Sequence, residues 1–266
     1  MDILKRSLAP IAAEAWTEID KQAADVLRSV LTGRKVADVS DPKGWLCDSV
    51  SEGTLTLAEE SPVEGVNYGV RDVLPLVEIR VPFTLPMWDL DDISRGCKTT
   101  DYTPLQEAAR QAALFEDTAV FKGLEEAGIL GIELETDNDP IETALDDDAL
   151  IKAVYDATQA LASRNVGGPY VLVCSKKVWE KIVTSNTAYP LRKSLEKIVE
   201  KIVLSKQYET NFVTSMRGGD SELVVGQDFS IGYQSHTATE VNFYITETFT
   251  FRVTTPEAFV ELKIAE

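Results

Sequence analysis

Histidine and cysteine are scarce in this sequence of 266 residues. The one histidine, His236, lies in the segment GYQSHTATE, which is typical of a loop between strands. We therefore expect a surface residue and not a catalyst, and zinc sites that need two histidines are excluded. Cys47, Cys97 and Cys174 lie far apart and form no C-x-x-C pair. The sequence thus indicates neither a disulfide framework nor a zinc site, and reduced thiols are the simplest interpretation.

Long apolar runs are also missing, since no stretch approaches the roughly 18 apolar residues of a transmembrane helix. The opening MDILKRSLAP has no apolar region of the kind found in secretory signals. We expect a cytoplasmic protein without a membrane partner. The formal net charge is −18, which disfavours binding to polyphosphate, so we also expect no nucleic-acid partner. Net charge does not exclude a local basic patch.

The usual signatures of catalysis are absent. There is no G-x-S-x-G elbow, P-loop or G-x-G-x-x-G motif. The run Asp137, Asn138, Asp139 resembles the start of a calcium loop, but Pro140 and Ile141 occupy the next positions, which do not suit an EF-hand. A solvated acidic linker is the better interpretation. We expect no metal, no cofactor and no enzymatic activity.

Helical and strand periodicities alternate along the chain and predict an α+β protein. Apolar residues at three- and four-residue steps predict helices over 11–31 and 103–124. An acidic connector, 132–148, separates them from a compact α/β pattern that ends near 226, and the last 40 residues form strands. A chain that leaves one domain and later returns to it forms two domains with discontinuous ends.

Residues 53–81 predict an extended β-hairpin. Two strand patterns flank a polar connection that runs from Glu59 to Gly69. The hairpin has few large apolar residues, and an isolated hairpin is marginally stable in water. A second copy of the same chain is the most economical partner for it.

Ordered segments across nearly the whole chain resemble the encapsulin shell proteins, of the type that houses ferritin-like proteins or peroxidases. The segments include LKRSLAPI (4–11), GRKVADV (33–39), LPLVEIRVPFTLPMWDLD (74–91), FEDTAVFKG (115–123), VGQDFSIGY (225–233) and ITETFTFRV (245–253). Each segment alone is modest evidence for the resemblance, but the whole set in this order is specific to the family.

The resemblance implies the HK97-type fold of tailed-phage major capsid proteins. It places a peripheral domain at 1–48, 75–134 and 223–266, an extended arm at 49–74, and an axial domain at 135–222. It also implies a self-assembling icosahedral shell of sixty copies or a multiple, an encapsulin nanocompartment. Cargo would be recruited by a C-terminal targeting peptide, with a ferritin-like protein or a dye-decolourising peroxidase as the expected cargo, and iron storage as one expected role. The alternative is a tailed-phage major capsid protein that packages DNA.

The resemblance also implies two kinds of site. Axial domains of this family line pores, and the matching loop here comprises Thr184, Ser185, Asn186, Thr187, Ala188 and Tyr189. The matching positions for the cargo peptide are Leu27, Val30, Leu31, Arg34, Asp38, Ile231 and Phe249. Two alternatives stay open at this point: the apolar residues could be core, and Arg34 and Asp38 could form an internal ion pair.

Overall fold

The structure, a computed structural model, describes residues 3–185 and 189–265. Its helices are α1 (Ala13–Val30), α2 (Met87–Ser94), α3 (Thr103–Phe121), α4 (Ile132–Glu135), α5 (Asp147–Ser163), α6 (Lys176–Thr184) and α7 (Leu191–Leu195). Its strands are β1 (Asp38–Val39), β2 (Ser49–Leu57), β3 (Gly69–Pro75), β4 (Val77–Pro86), β5 (Gly123–Leu124), β6 (Ile129–Leu130), β7 (Ile141–Thr143), β8 (Tyr170–Cys174), β9 (Lys201–Leu204), β10 (Phe212–Ser215), β11 (Ser221–Val225), β12 (Ser230–His236), β13 (Glu240–Val253) and β14 (Phe259–Ile264). The predicted mixture of helix and sheet is confirmed.

The first sheet is organised around β13, the longest strand. Strand β4 pairs antiparallel along one edge of β13, while β12 and then β11 pair antiparallel along the other. Strand β1 extends the sheet beyond β11. The sequence predicts two strands, 241–246 and 248–254, where the structure has one. The strand continues through Glu247, which lies opposite Ile79 of β4 and whose buried carboxylate pairs with an arginine.

Helices α1 and α3 cover the first sheet. Ala15, Ile19, Ala23, Leu27 and Val30 form the buried face of α1, at the spacing that the sequence predicts. The chain then turns at Gly33, where an added Cβ would lie only 3.1 Å from the Val120 side chain of α3. Glycine therefore allows the backbone after α1 to approach α3 closely.

The second sheet has the order β7-β14-β10-β8-β9, with α5 packed against it. The resemblance places 259–264 in the peripheral domain, whereas β14 pairs with β10 and β7 of this second sheet. The acidic connector contributes β7, and its Asn138 is buried and donates to the carbonyls of Glu257 and Phe259, both at 2.8 Å. The expectation of a fully solvated linker is therefore wrong at Asn138. The division into peripheral, arm and axial domains stays a prediction.

The arm is an antiparallel hairpin of β2 and β3, in which Ser49 pairs with Pro75 and Leu57 with Gly69. Every residue from 51 to 68 is exposed. The predicted second strand, 73–81, is in fact two strands, β3 and β4, because the chain leaves the hairpin at Leu76 and enters the first sheet. Within the described residues, no helix combines the length and the apolarity needed to span a bilayer.

Candidate functional site

A groove runs along α1, between this helix and the chain that leads into β12. It consists of two adjoining cavities of about 330 and 360 Å³ that share Ala24, Leu27 and Phe229 in their walls. We call this feature the α1 groove. Its apolar lining comprises Ala23, Ala24, Leu27, Leu31, Phe229, Ile231 and Ile245. The small side chains of Ala23 and Ala24 leave room that a larger residue would fill.

The two ends of the groove are polar. Where α1 begins, the Arg6 Nη2 atom lies 2.7 Å from Asp20 Oδ2, and the Arg6 guanidinium stacks 4.0 Å above the Trp16 ring. Where α1 ends, the lining includes Arg28, Arg34, Lys35 and Asp228. The α1 groove is therefore an apolar channel with charged groups at each end.

Arg34 lies on a buried cluster of carboxylates. Its Nε atom lies 3.0 and 2.9 Å from the two oxygens of Glu116, and its Nη2 atom lies 2.7 Å from Glu116 Oε2. Nη2 also donates to Glu247, and Nη1 donates to Asp228 at 2.9 Å. The side chains of Glu116 and Glu247 are fully buried, and the Phe229 ring lies 4.9 Å from the guanidinium. Most of the donors of Arg34 are thus occupied within the protein.

The protonation states of the cluster follow from burial. Burial opposes the charged form of Arg34, but the hydrogen bond and charge of Glu116, together with the charges of Glu247 and Asp228, outweigh it and raise the Arg34 pKa. Burial, followed by the charge of Glu116, raises the pKa of Glu247 well above its ordinary value, against the opposing charge of Arg34. The cluster consequently favours keeping a proton near Glu247.

Asp117 lies beside this cluster and holds the turn after α1. Its carboxylate accepts the backbone N–H groups of Thr32, at 2.9 and 3.1 Å, and of Gly33, at 2.8 Å. Burial raises the pKa of Asp117 to about 6, although these hydrogen bonds oppose the shift. The turn that carries Arg34 and Lys35 is therefore fixed by a carboxylate with an unusual affinity for protons.

The structure places four of the seven candidate cargo residues on the α1 groove: Leu27, Leu31, Arg34 and Ile231. Val30 and Phe249 are buried in the core, and the Phe249 ring packs edge-on against Phe115 with centroids 6.3 Å apart. Asp38 is exposed on β1, is not among the groove-lining residues, and accepts a hydrogen bond from the Gly219 N–H.

The internal ion pair of Arg34 exists, but its partners are Glu116, Glu247 and Asp228, and not Asp38. Sequence reasoning missed Asp228 and Phe229 in this site. The signal that could have found them is the segment VGQDFSIGY, which also contains Ile231.

Three of the six candidate pore residues lie within the described residues. Thr184 is the last residue of α6, and the Ser185 hydroxyl hydrogen-bonds to the carboxylate of Asp147. The Lys197 ammonium lies 4.5 Å above the ring of Tyr189. Asn186, Thr187 and Ala188 lie outside the described residues. The pore assignment stays a prediction.

No group of three or more His, Cys, Asp or Glu side chains suited to a metal ion occurs in the ranges 3–185 and 189–265. The three cysteines are separate from one another, and burial raises the pKa of the Cys174 thiol to about 12. That thiol is unreactive at neutral pH.

The fold is similar to that of solved particle-forming proteins. A virus-like particle from Pyrococcus furiosus aligns with a TM-score of 0.64 at 20% identity, covering 93% of this chain and 98% of that one. The structure titled Mycobacterium phage Bobi aligns with a TM-score of 0.60 at 14% identity, covering 89% and 91%. At these identities the likeness shows the fold alone, and that fold is the phage-capsid type.

Comparison with related sequences identifies the family within this class of capsid-like proteins. The family model described as "Encapsulating protein for peroxidase" matches residues 1–250. A type 1 encapsulin shell protein of Rhodospirillum rubrum is 40% identical over 271 residues, covering 99% of this chain and 97% of the relative. That of Mycobacterium tuberculosis is 38% identical over 264 residues, covering 98% and 99%. The chain belongs to the type 1 encapsulin shell protein family.

Proposed function

We propose that many copies of this shell subunit enclose a cargo enzyme and that the α1 groove holds a short peptide segment of that enzyme. The observation that carries the proposal is the groove itself, which offers an apolar channel with polar ends on the subunit surface. Binding sites for peptides commonly combine pockets for apolar anchors with a few placed polar groups. A ferritin-like protein or a dye-decolourising peroxidase is the cargo we propose, and the family description names a peroxidase.

The dimensions of the groove suit a short extended segment. Its lining along α1 extends from Asp20 to Leu31, the residue that directly follows the helix. At the 1.5 Å rise of an α-helix, this separation corresponds to about 16 Å. An extended chain advances about 3.3 Å per residue, so about five residues fit. Since alternate side chains of an extended chain share one face, two or three apolar anchors would lie on Leu27, Phe229 and Ile231.

In this account, Arg34 stabilises the wall of the groove and does not bind the peptide directly. Its donors are directed to Glu116, Glu247 and Asp228, so a peptide would have to replace existing charge pairs to bind it directly. Its hydrogen bond to Asp228 and its contact with the Phe229 ring instead fix the wall against which the peptide packs.

Assembly would use the arm. Its residues from 51 to 68 are exposed, and so is Val70 of its second strand; the exposed fractions of Leu57 and Val70 are 70% and 63%. Contact with a neighbouring subunit would bury these side chains and stabilise the hairpin. We propose that the subunit is structural, with the chemistry residing in the cargo, and that the segment from Thr184 to Tyr189 lines a pore. A cytoplasmic location stays a prediction from the sequence.

The groove assignment can be tested with paired substitutions on one helix. Ala24 lines the groove, while Ser29 is an exposed residue on another face of α1. The chain is co-expressed with a fluorescent protein that carries the C-terminal segment of a dye-decolourising peroxidase or ferritin-like protein from the same source. We expect Ala24→Arg to remove most of the reporter from purified particles, and Ser29→Arg to leave loading unchanged.

Equal loading of both variants into intact particles would remove the groove from the cargo site. The same particles test the phage alternative, because a DNA-packaging capsid would carry nuclease-protected DNA, which the acidic chain disfavours.

A further inference from the structure

Lys35 is a cation of the α1 groove that forms no ion pair with the residues that the structure describes. It lines the groove where α1 ends and is half-buried. Among the ion pairs of residues 3–185 and 189–265, none involves Lys35. Arg28 lines the same end, and its nearest carboxylate, that of Asp25, lies 3.8 Å away with both side chains largely exposed.

The carboxylates near Lys35 are engaged elsewhere. Glu116 and Glu247 are fully buried on Arg34. Asp228 binds Arg34 and accepts the Phe229 N–H at 2.8 Å. Asp117 is buried and faces the backbone N–H groups of Thr32 and Gly33. Lys35 therefore lines the groove without an ion pair, while Asp228, the one carboxylate of the lining at this end, is paired with Arg34.

Two further lysines act on this end of the groove. Burial lowers the pKa of Lys35, the charge of Asp117 opposes the change, and the charges of Lys206 and Lys201 lower the pKa further. Both of these lysines are exposed. An anion placed here would offset the repulsion among three ammonium groups.

The other end of the groove has no such excess of charge, because Arg6 and Asp20 form a 2.7 Å pair there. The groove is consequently asymmetric: its charges are balanced where α1 begins and are positive at its surface where α1 ends.

We propose that Lys35 is a specificity-determining residue of the groove that binds a carboxylate of the docked segment. This inference rests on the proposed function of the groove. The carboxylate is either that of an acidic side chain or the terminal carboxylate of the cargo chain. In both cases it orients the segment, with its anionic end beside the C-terminal end of α1 and its apolar anchors on Leu27 and Phe229.

The probes are fluorescent proteins that end in one apolar segment, alternating leucine and serine, followed by different tails. The acidic probe continues with two glutamates and a glycine-serine tail, and the basic probe has two lysines in place of the glutamates. The neutral probe has two serines there and the same tail, whereas the terminal probe stops at the apolar segment. Each is co-expressed at limiting level with the shell protein, and the molar ratio of probe to shell is measured in purified particles.

We expect the acidic or the terminal probe to load about three- to fivefold better than the neutral and basic probes, as for one partly desolvated charge pair. The probe that gains identifies the source of the carboxylate. Lys35→Glu should reverse the order of the acidic and basic probes. Lys21→Glu is the matched control, since Lys21 is an exposed residue of α1 that is absent from the groove lining, and it should leave the order unchanged.

The failures of the two proposals are distinguishable. If all four probes load equally, and Lys35→Glu changes nothing while Ala24→Arg still prevents loading, the groove binds peptide and the role of Lys35 is overturned. Preferential loading of the basic probe into the parent shell also overturns it. If no probe loads into intact parent particles, or if Ala24→Arg leaves loading intact, the proposed function of the groove fails, and this inference fails with it.

Discussion

The guanidinium of Arg34 binds the carboxylate of Glu116 through three N–O contacts of 2.7 to 3.0 Å, and Glu116 is fully buried. This pair joins the turn after α1 to the C-terminal part of α3. It is part of the folded core that supports the α1 groove, although the sequence resemblance had marked Arg34 as a cargo contact.

Removing the guanidinium should therefore destabilise the protein as well as alter loading. Arg34→Met leaves Glu116 and Glu247 buried without a cation, a situation that costs about 3–5 kcal/mol. We expect a large drop in melting temperature and a low yield of particles. Arg28→Met, at an exposed arginine of the same groove end, should change the free energy of unfolding by less than about 0.5 kcal/mol.

A triple variant shows how much of the lost stability is due to buried acidic groups without a partner and how much is due to the changed packing. Adding Glu116→Gln and Glu247→Gln to Arg34→Met removes the two buried acidic groups that lost their cationic partner and should recover part of the lost melting temperature. A single Arg34→Met variant that melts like the parent and differs only in cargo loading would contradict the structural role.

Asp117 should make stability depend on pH in the acidic range. Its pKa is about 6 in the folded chain, against 3.8 as its ordinary value. Between these values the folded state holds a proton that the unfolded state has released, so stability is highest at the acidic end and decreases as the pH rises. This contribution changes by about 1.4 kcal/mol per pH unit in that window and is constant above it.

Asp117→Asn should remove this contribution. Denaturant titrations of the parent and the variant at several pH values between 4 and 7 give the difference in the free energy of unfolding. We expect the advantage of the parent over the variant to shrink as the pH rises towards 6. An advantage that is independent of pH would show that Asp117 is not protonated in this range.

The unexpected pairing of β14 makes the end of the chain necessary for the second sheet. Phe259 is almost fully buried and lies opposite Thr214 of β10. Phe259→Ala should cost about 3–5 kcal/mol, as is typical of a large core truncation. Lys263→Ala, at an exposed position of the same strand, should have little effect on the thermal unfolding of the particles. Equal effects of the two substitutions would contradict this packing.

The arm should be needed for closure but not for folding. Ser51 lies opposite Val73 in the hairpin, so residues 52–72 can be replaced by an Asn-Gly turn that joins the two strands. We expect a chain with near-parental far-ultraviolet circular dichroism that no longer forms closed particles. Particles of parental size, seen by electron microscopy, would show that the arm contributes no essential contact between subunits.

Sequence patterns predicted the main elements well where periodicity is strong. Helix α1 was predicted over 11–31 and occurs at Ala13–Val30, because its apolar residues all face one side. The helix predicted over 103–124 is slightly shorter in the structure, where α3 ends at Phe121. Element boundaries depend on local hydrogen bonds that a pattern of apolar residues does not specify.

Two features were beyond the reach of sequence reasoning for physical reasons. The pattern of apolar residues in β14 is compatible with either sheet, because it predicts a strand but does not specify which strand pairs with it. The Arg34 cluster joins residues more than 80 positions apart in the chain, and the groove-lining Phe229 is separated from Leu27 by some 200 residues. Such neighbours come together only through tertiary packing. The resemblance gave the correct family, but the groove lining required the fold.

The central claim, that this chain builds a closed shell, is tested most directly by the mass of the purified particles. Sixty copies of a 29.3 kDa chain amount to about 1.8 MDa, and larger shells are multiples of this value. Mass photometry of the chain expressed alone should give one narrow peak at such a multiple, with hollow round particles in electron micrographs. A stable monomer or dimer as the main species would contradict the account.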